Sequence, residues 1–363
     1  MAAAGATLEY DRMKEVKEFD DSRIGVKGLV DSGLSTIPRF FVHPPDRLST
    51  LSPSSFLSVD IPVISLAGIN SSRRAEIVNE IRAAAGICGF FQVVNHGVSQ
   101  KILGETTSAI KSFHEQPVEM KKQYYGRQER GSVGYATNLD LFRSKAANWG
   151  HTLQVWTGPN PPELDQIPAI CRKEVMAWDE NVKRLAETVM ELLCEGLGVT
   201  PSKLKELKCL ESRAMVGHYY PYCPQADLTM GFPPHTDPGV LTVLLQNEIG
   251  GLQVKHGEKW VEVKPLPGAL VINIGDFLQI LSNNEYMSGQ HRVLANRVRE
   301  PRISIAVLIN VDKTENSDSY GPLEELLSPE KPALYRKFTI EEFENKFFTK
   351  EIADKPLIDF FKL

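Results

Sequence analysis

Residues 233–246 read PPHTDPGVLTVLLQ, and this stretch carries both a strand and a pair of metal-binding side chains. Its second half, GVLTVLLQ, is a β-branched apolar run of strand length. Its first half places His235 and Asp237 two positions apart. Side chains at positions i and i+2 of an extended segment point to the same side, so an imidazole and a carboxylate can reach one metal ion.

Several more short apolar runs surround this stretch between residues 211 and 311. They are GLQVKH, KWVEVKP, ALVINIG and RISIAVLIN, and turn signals separate them at Gly250-Gly251, Gly257 and Pro267-Gly268. Many short strands at close spacing favour a sandwich or a jelly roll over a parallel sheet. We therefore expect a mainly β fold with flanking helices.

Helical patterns lie on both sides of this β-rich region. They cover residues 72–86, 100–123 and 173–197 before it, and the segment FTIEEFENKFF after it. We expect three regions along the chain: an N-terminal helical and strand region over 1–210, a catalytic core over 211–315, and a C-terminal helical tail over 316–363.

The composition argues against several classes of protein. With 42% hydrophobic and 24% charged residues over 363 positions, the chain is large enough to bury a core without disulfides. Its net charge of −5 and its scattered Lys and Arg residues argue against nucleic-acid binding. The five cysteines are odd in number and none are spaced as CxxC, so we expect reduced thiols.

Targeting and membrane signals are not found in the sequence. The N-terminal residues include Glu9 and Asp11, and no apolar run of signal-peptide length follows them. No apolar stretch reaches the length of a membrane span. We expect a cytoplasmic monomer that binds a small molecule and neither nucleic acid nor a membrane.

A third metal ligand is needed, since two protein ligands bind a metal ion weakly. His291 in QHRV follows His235 by 56 residues, a separation that spans several strands and can bring the second histidine beside the first. Two histidines and one carboxylate on one face leave up to three coordination positions open, the arrangement of non-haem iron(II) oxygenases. On its own, the HxD spacing is a weak signal.

A second motif strengthens the iron hypothesis. Arg302 and Ser304 follow His291 by eleven and thirteen residues and share one face of a predicted strand. A guanidinium with a neighbouring hydroxyl forms a bidentate seat for a carboxylate. An iron site next to a carboxylate seat indicates an oxygenase with an acidic co-substrate.

The chain resembles plant 2-oxoglutarate-dependent dioxygenases, and within them the branch of 1-aminocyclopropane-1-carboxylate oxidase homologues and deacetoxyvindoline 4-hydroxylase. The motifs that carry the resemblance run over nearly the whole chain: GVKGLVDSGLSTIPRFFVHPP, DIPVISL, GFFQVVNHGV, YYPYCPQADLTMG, PPHTDPGVLTVLLQ, GGLQV, NIGDFLQILSN and HRVLANRVREPRISIA. The resemblance implies a double-stranded β-helix, or jelly roll, wrapped by N-terminal helices and closed by a C-terminal helix.

The resemblance also implies the roles of particular residues. It makes His235, Asp237 and His291 the iron ligands, and it implies iron(II), 2-oxoglutarate and O2 as cofactor and co-substrates, with ascorbate as reductant. Arg302 and Ser304 would hold the distal carboxylate of 2-oxoglutarate, and Tyr220 would bond near its metal-chelating end.

Two positions depart from the family pattern. The family usually has Asn two residues before the tyrosine, where this chain has His218; contact with the co-substrate and simple packing both remain open for it. Relatives often carry Arg-Asp where this chain has Gly150 and His151, in a segment that borders the substrate pocket. The residues predicted to line that pocket are Phe142, His151, Leu153, Phe277 and Asn310.

These observations predict hydroxylation of a small plant specialised metabolite, with succinate and CO2 as co-products. O-demethylation or desaturation would use the same site. Three alternatives remain: an ethylene-forming 1-aminocyclopropane-1-carboxylate oxidase, a catalytically silent jelly-roll binding protein, and a zinc hydrolase. The long segment before DIPVISL argues against the first, and the Arg302 and Ser304 pair argues against the other two.

Overall fold

The computed structural model describes residues 10–48, 60–126, 132–138, 141–312, 319–349 and 355–363. Its α-helices are α1 (Arg12–Ser22), α2 (Gly25–Asp31), α3 (Pro45–Leu48), α4 (Arg74–Ile87), α5 (Gln100–Glu115), α6 (Val118–Lys121), α7 (Arg172–Leu197), α8 (Lys203–Glu206), α9 (Asp276–Leu281) and α10 (Ile340–Thr349). Among the helices of these described ranges, none combines the length and the apolar character needed to cross a bilayer.

The strands form two main sheets and one small hairpin. They are β1 (Val63–Ser65), β2 (Phe90–Val94), β3 (Val133–Ala136), β4 (His151–Gly158), β5 (Ser212–Tyr220), β6 (Met230–His235), β7 (Leu241–Gln246), β8 (Leu252–His256), β9 (Lys259–Glu262), β10 (Leu270–Ile274), β11 (His291–Leu294), β12 (Arg302–Asn310), β13 (Ser319–Tyr320) and β14 (Phe338–Thr339). The larger sheet has the order β1-β2-β10-β7-β12-β5-β4-β3, and the smaller sheet has the order β6-β11-β8-β9.

The two sheets face each other and enclose a small apolar core. Side chains from the large sheet (Tyr220, Leu244 and Val271) meet side chains from the small sheet (Val254 and Val293) in one buried cluster. Helices cover the outer face of the large sheet. The predicted mainly β fold with flanking helices, a jelly-roll core, is therefore confirmed.

Strand alternation separates the two faces of the large sheet. In β12, Ile303, Ile305 and Val307 are buried in the helix-facing core. The alternate residues, beginning with Arg302 and Ser304, face the small sheet, because successive side chains of a strand point to opposite sides. The strand therefore supplies apolar packing on one side and polar groups on the other.

Helix α7 contributes a long apolar face to the layer behind the large sheet. Its buried stripe includes Trp178, Val182 and Val189, spaced to lie on one face of the helix. The helix ends where Gly198 adopts a left-handed conformation, with φ of 76°, which glycine reaches without steric cost. The sequence-based helix over 173–197 is confirmed within one residue.

The chain termini form two further clusters beside the jelly roll. Near the N-terminus, Phe19, Phe40, Phe41 and Trp149 pack together, with the rings of Phe41 and Trp149 5.0 Å apart. Near the C-terminus, aromatic rings from α9, β14 and α10 pack around Phe277. The first group is a separate hydrophobic cluster, whereas the C-terminal rings belong to the main core.

A buried ion pair joins α7 to β5. Arg213 Nε and Nη2 each donate to one oxygen of Asp179 at 3.0 Å, and Thr157 Oγ1 donates to the same carboxylate at 2.5 Å. Both charged residues are buried. Because the pair is fully hydrogen-bonded, it fixes the position of β5 against the helical layer.

Removing one partner of this pair should destabilise the protein strongly. We expect Asp179→Ala to lower the free energy of unfolding by about 3–5 kcal/mol in urea denaturation, because it leaves the Arg213 cation buried without a carboxylate. The control is Glu105→Ala, which removes an exposed ion pair with Lys101 and should change stability by less than about 0.5 kcal/mol. Equal effects of the two substitutions would contradict this prediction.

Candidate active site

The fold brings the three predicted metal ligands together at one edge of the small sheet. His235 ends β6 and His291 begins β11, and the two residues are direct partners in the antiparallel pairing of these strands. Asp237 follows β6 by two residues, and its Oδ1 lies 3.5 Å from Nε2 of His235 and 3.7 Å from Nε2 of His291. The three ligand atoms all lie within 4.8 Å of one another, so they can contact a single ion.

Both histidines are oriented by their own backbone. Nδ1 of His235 donates to the carbonyl of Pro233 at 2.9 Å, and Nδ1 of His291 donates to the carbonyl of Gly289 at 3.0 Å. A carbonyl only accepts, so each Nδ1 carries the hydrogen and each Nε2 presents its lone pair. Burial, together with the neighbouring His235, lowers the pKa of His291 to about 4, so that this imidazole is neutral at physiological pH.

The third ligand, Asp237, is held by two neutral donors. Thr242 Oγ1 donates to Oδ2 at 2.6 Å and Asn273 Nδ2 donates to the same oxygen at 2.8 Å, which leaves Oδ1 facing the imidazoles. Burial by itself raises the pKa of this carboxyl, but His291, His235 and the hydrogen bond from Thr242 lower it well below its usual range. Asp237 is therefore ionised.

A close backbone contact fixes the loop that carries Asp237. The N–H of Asp276, at the start of α9, donates to the carbonyl of Asp237 at 2.8 Å. A Cβ on Gly275 would lie 2.1 Å from the carbonyl oxygen of Gly239, so only glycine allows the two segments to approach this closely. Gly275 and Asp276 thus hold the loop that carries Asp237 in place.

The residues present fit an iron(II) ion. Two imidazoles and one carboxylate supply three ligands from one side, a set suited to non-haem iron(II) that leaves the opposite side for small molecules. The hydrogen-bonded second nitrogen of each histidine and the second oxygen of Asp237 are typical of ligands oriented for a metal.

A buried cation lies on the inner face of the large sheet, which faces the small sheet that carries the two histidines. The guanidinium of Arg302 donates from Nη1 to Ser304 Oγ and from Nη2 to Gln246 Oε1, both at 2.9 Å. It lies 5.2 Å from the ring centre of Tyr220, and its Nε is buried without a hydrogen-bond partner.

In the part of the chain that the structure describes, this cation has no acidic partner. No carboxylate there lies within ion-pair distance of Arg302, although the side chain is 1% exposed. Burial lowers the pKa of Arg302, yet a guanidinium stays charged in proteins. An unpaired buried cation is costly, and an anionic ligand would offset that cost.

His218 lies between the cation and the metal ligands. It pairs directly with Ser304 across β5 and β12, and its ring centre is 5.8 Å from the rings of both Tyr220 and Phe232. Its Nδ1 is 3.0 Å from Thr152 Oγ1. Burial and the charge of Arg302 lower the pKa of His218 to about 3, so the ring is neutral.

The predicted pocket residues of β4 lie on the wrong face. His151 pairs with Tyr219 and Leu153 with Gly217, so both point toward the helices. His151 Nε2 accepts from the backbone N–H of Lys27 at 3.0 Å, and Leu153 is part of the helix-facing core. The structure does not bring either side chain to the metal ligands, which corrects the pocket role predicted for them.

The other pocket predictions have different outcomes. Phe277 packs against Phe338 and Phe343 in the C-terminal cluster, which belongs to the helix-facing main core, so its predicted pocket role is also corrected. Asn310 lies on the same face of β12 as Arg302, at the opposite end of the strand. Phe142 is 39% exposed in the segment before β4, and its pocket role stays a prediction.

Residues that the sequence analysis missed occupy the inner face of β4. Thr152, Gln154 and Trp156 alternate with the helix-facing residues, and Gln154 and Trp156 are half-buried. The alternation in HTLQVW indicates these residues. Leu153 and Val155 are apolar and belong in the main core, so Thr152, Gln154 and Trp156 must face the opposite side of the sheet. Thr242, Asn273 and Gln246 were missed because their contacts depend on sheet pairing.

Fold and site together define a non-haem iron dioxygenase, and comparison with known proteins shows the family. The 2OG-Fe(II) oxygenase superfamily model matches residues 211–311, and the model of the N-terminal region of the non-haem dioxygenase in morphine synthesis matches residues 61–170. The chain belongs to the 2OG-Fe(II) oxygenase superfamily. It is an oxidoreductase of the dioxygenase class that uses iron(II), 2-oxoglutarate and O2.

Similar proteins come from several plants. The chain is 45% identical to 1-aminocyclopropane-1-carboxylate oxidase homologue 5 of Arabidopsis thaliana, over 96% of this chain and 89% of that protein. It is 41% identical to deacetoxyvindoline 4-hydroxylase of Catharanthus roseus, over 99% of this chain and 91% of that protein. The resemblance stated from the sequence motifs is thereby confirmed.

Solved structures share the fold over most of the chain. A crystal structure of JOX2 in complex with 2OG, Fe and JA superposes with a TM-score of 0.81 at 29% identity, covering 93% of this chain and 97% of JOX2. The dioxygenase for auxin oxidation of rice gives a TM-score of 0.70 at 26% identity, covering 84% of this chain and all of that protein.

Loss of a hydrogen bond to Asp237 should weaken metal binding. We expect Asn273→Ala to lower the affinity for iron(II) at least about tenfold in an anaerobic equilibrium titration, because Oδ2 of Asp237 loses one of its two donors and the carboxylate can turn. Asn181→Ala is the control, since the side-chain hydrogen bonds of Asn181 in the described structure, to the carbonyl of Ala177 and from Arg184, stay within α7. Unchanged affinity in Asn273→Ala would show that Thr242 alone orients the ligand.

Proposed function

We propose that this enzyme hydroxylates a small plant specialised metabolite, consuming 2-oxoglutarate and O2 and releasing succinate and CO2. The observation that carries the proposal is the buried guanidinium of Arg302, which has no carboxylate partner among the described residues and lies on the inner face of the large sheet, facing the small sheet that carries His235 and His291. A dicarboxylate that reaches both places satisfies the cation at one end and the open side of the metal at the other.

Each polar residue of the site has a proposed role. His235, Asp237 and His291 would hold iron(II), which supplies the redox chemistry that couples oxidation of the 2-oxo acid to oxidation of the substrate. Arg302 and Ser304 would bind the distal carboxylate; in the structure the oxygen of Ser304 accepts from Arg302, and the Ser304 hydroxyl also hydrogen-bonds with Tyr220.

The remaining neighbours of the co-substrate seat would line it and limit the access of water. Tyr220 and His218 would line the seat between the guanidinium and the metal ligands. The ring of Phe232 lies 4.6 Å from that of His235, and the ring of Phe90 lies 5.1 Å from that of His291. These apolar rings would limit water around the ligands, which strengthens the electrostatic interactions within the site.

The substrate would approach along the inner face of β4. Gln154 and Trp156 are half-buried there and offer an amide and an aromatic surface. The relatives described above are named for acting on deacetoxyvindoline or auxin, or were crystallised with JA, so a small organic substrate is the common feature. We further propose that residues 211–315 are the catalytic core of a cytoplasmic monomer.

A turnover assay tests the reaction. Purified protein with iron(II), ascorbate, 2-oxoglutarate and a panel of plant metabolites should form succinate together with a product that gains one oxygen atom. Loss of a methylene unit or of two hydrogens would instead identify demethylation or desaturation. Ethylene release from 1-aminocyclopropane-1-carboxylate without a 2-oxo acid would overturn the proposal in favour of the ethylene-forming alternative.

Metal removal should abolish succinate formation. Because the donor set suits iron(II), we expect chelation followed by gel filtration to remove activity, and added iron(II) to restore it. Zinc(II) occupies the same ligands without redox chemistry, so it should not restore turnover and should compete with iron(II). Substrate turnover with zinc(II) alone, without succinate formation, would indicate a hydrolase.

Removal of the buried cation should act on the co-substrate. We expect Arg302→Leu to raise the KM for 2-oxoglutarate at least about 30-fold, since a buried hydrogen-bonded charge pair is lost. The control is Arg297→Leu, which removes an exposed guanidinium paired with Asp227 and should leave the KM within about twofold. Steady-state kinetics with varied 2-oxoglutarate measure both, and an unchanged KM in Arg302→Leu would remove Arg302 from the co-substrate seat.

A further inference from the structure

The histidine at position 218 can adopt either of two tautomers, and these present different hydrogen-bonding groups to the co-substrate. The neutral ring has one nitrogen that donates and one that accepts, and the partner of the first nitrogen decides which is which. A carboxylate or keto oxygen of 2-oxoglutarate only accepts. His218 therefore helps to bind the co-substrate only if its free nitrogen carries the hydrogen.

The second nitrogen of His218 is the one that is free. Nδ1 lies 3.0 Å from Oγ1 of Thr152, whereas Nε2 has no hydrogen-bond partner in the described part of the chain. His218 is opposite Ser304 in the pairing of β5 with β12, so its side chain lies on the same face as the co-substrate seat. Nε2 is thus the atom available to a ligand.

The pairing of His218, on β5, with Ser304 of β12 places its side chain toward the metal end of that seat. Thr242, which holds Asp237, pairs with Leu308 of β12. Ser304, the partner of His218, lies four residues from Leu308, whereas Arg302 lies six residues away. His218 therefore stands between the cation and the metal ligands.

The hydroxyl of Thr152 has one way to satisfy its hydrogen. Thr152 is buried, and its hydroxyl makes a single side-chain contact in the described structure, the one with His218. If the hydroxyl donates to Nδ1, its hydrogen is satisfied and the ring hydrogen must lie on Nε2. In the reverse arrangement the hydroxyl hydrogen is left buried without an acceptor, which costs free energy.

We propose that Thr152 is a positioning residue that sets the tautomer of His218, so that Nε2–H donates to an oxygen at the metal-chelating end of 2-oxoglutarate. This inference rests on the proposed function, since it requires 2-oxoglutarate in the seat beside Arg302. Thr152 does not touch the co-substrate; it acts through the imidazole on the neighbouring strand, its direct partner in the pairing of β4 with β5.

Removal of the hydroxyl with retention of the side-chain shape tests the inference. We expect Thr152→Val to weaken binding of 2-oxoglutarate about five- to tenfold in anaerobic calorimetry on the iron(II)-loaded protein, because the favoured tautomer loses its support. Thr152→Ser keeps the hydroxyl and should bind within about twofold of the wild type. Equal binding by wild type and Thr152→Val would overturn the inference.

A double substitution separates tautomer control from simple packing. In a His218→Asn background the amide offers its own donors without a tautomer, so adding Thr152→Val should change 2-oxoglutarate binding less than about twofold. An undiminished effect of Thr152→Val in that background would assign Thr152 a packing role and overturn the inference.

The tautomer itself gives a readout independent of turnover. In long-range proton–nitrogen correlation spectra of histidine-labelled, zinc(II)-loaded protein, the His218 signals, assigned by their loss in His218→Asn, should show the hydrogen on Nε2. A hydrogen on Nδ1 would overturn the inference. Failure of the proposed function looks different: the wild type itself would then neither bind 2-oxoglutarate nor form succinate.

Discussion

The antiparallel pairing of β5 with β12 is the constraint on which the site depends. The two strands pair directly from Arg302 with Tyr220 to Asn310 with Ser212, so that each inward residue of one strand lies beside an inward residue of the other. A shift of one residue would turn Arg302 and Ser304 toward the helices and expose Ile303 to the site. The apolar packing against the helical layer and the polar seat therefore depend on the same register.

Burial of polar groups on the inner face has a cost that the protein itself only partly offsets. Asp237 receives two donors and Arg302 two acceptors, but Nε of the guanidinium has none. Such incomplete satisfaction is unfavourable in an ordinary core. Here the incompletely satisfied polar groups lie together beside three metal-binding side chains, where bound ligands would complete their hydrogen bonds. Ligands that bind the folded state also stabilise the folded state.

Local sequence patterns predicted what depends on local geometry. The pairs His235 with Asp237 and Arg302 with Ser304 each need only the two-residue repeat of an extended chain. In the structure, the two members of each pair lie side by side. The third ligand, His291, needed a strand pairing that spacing alone does not specify. In its case the family resemblance supplied the missing long-range information.

Other parts of the site follow from sheet pairing, which the sequence does not display. Thr242 and Asn273 are neighbours across β7 and β10, and both donate to Asp237, yet they are 31 residues apart in the chain. The assignment of Leu153 to the pocket failed because only the pairing of β4 with β5 decides which face is inward. Phe277 failed because α9 turns toward the C-terminal cluster.

The departure from the family pattern at position 218 is explained best by considering its neighbour on β4. An asparagine offers donors and an acceptor from one amide, so its contact with a co-substrate does not depend on a tautomer. A histidine at the same place donates only when its other nitrogen is given a donor, and Thr152 is in position to provide one at 3.0 Å. The exchange of asparagine for histidine is therefore chemically tolerable where a hydroxyl lies on the adjacent strand, which makes positions 152 and 218 a functional pair rather than two separate substitutions.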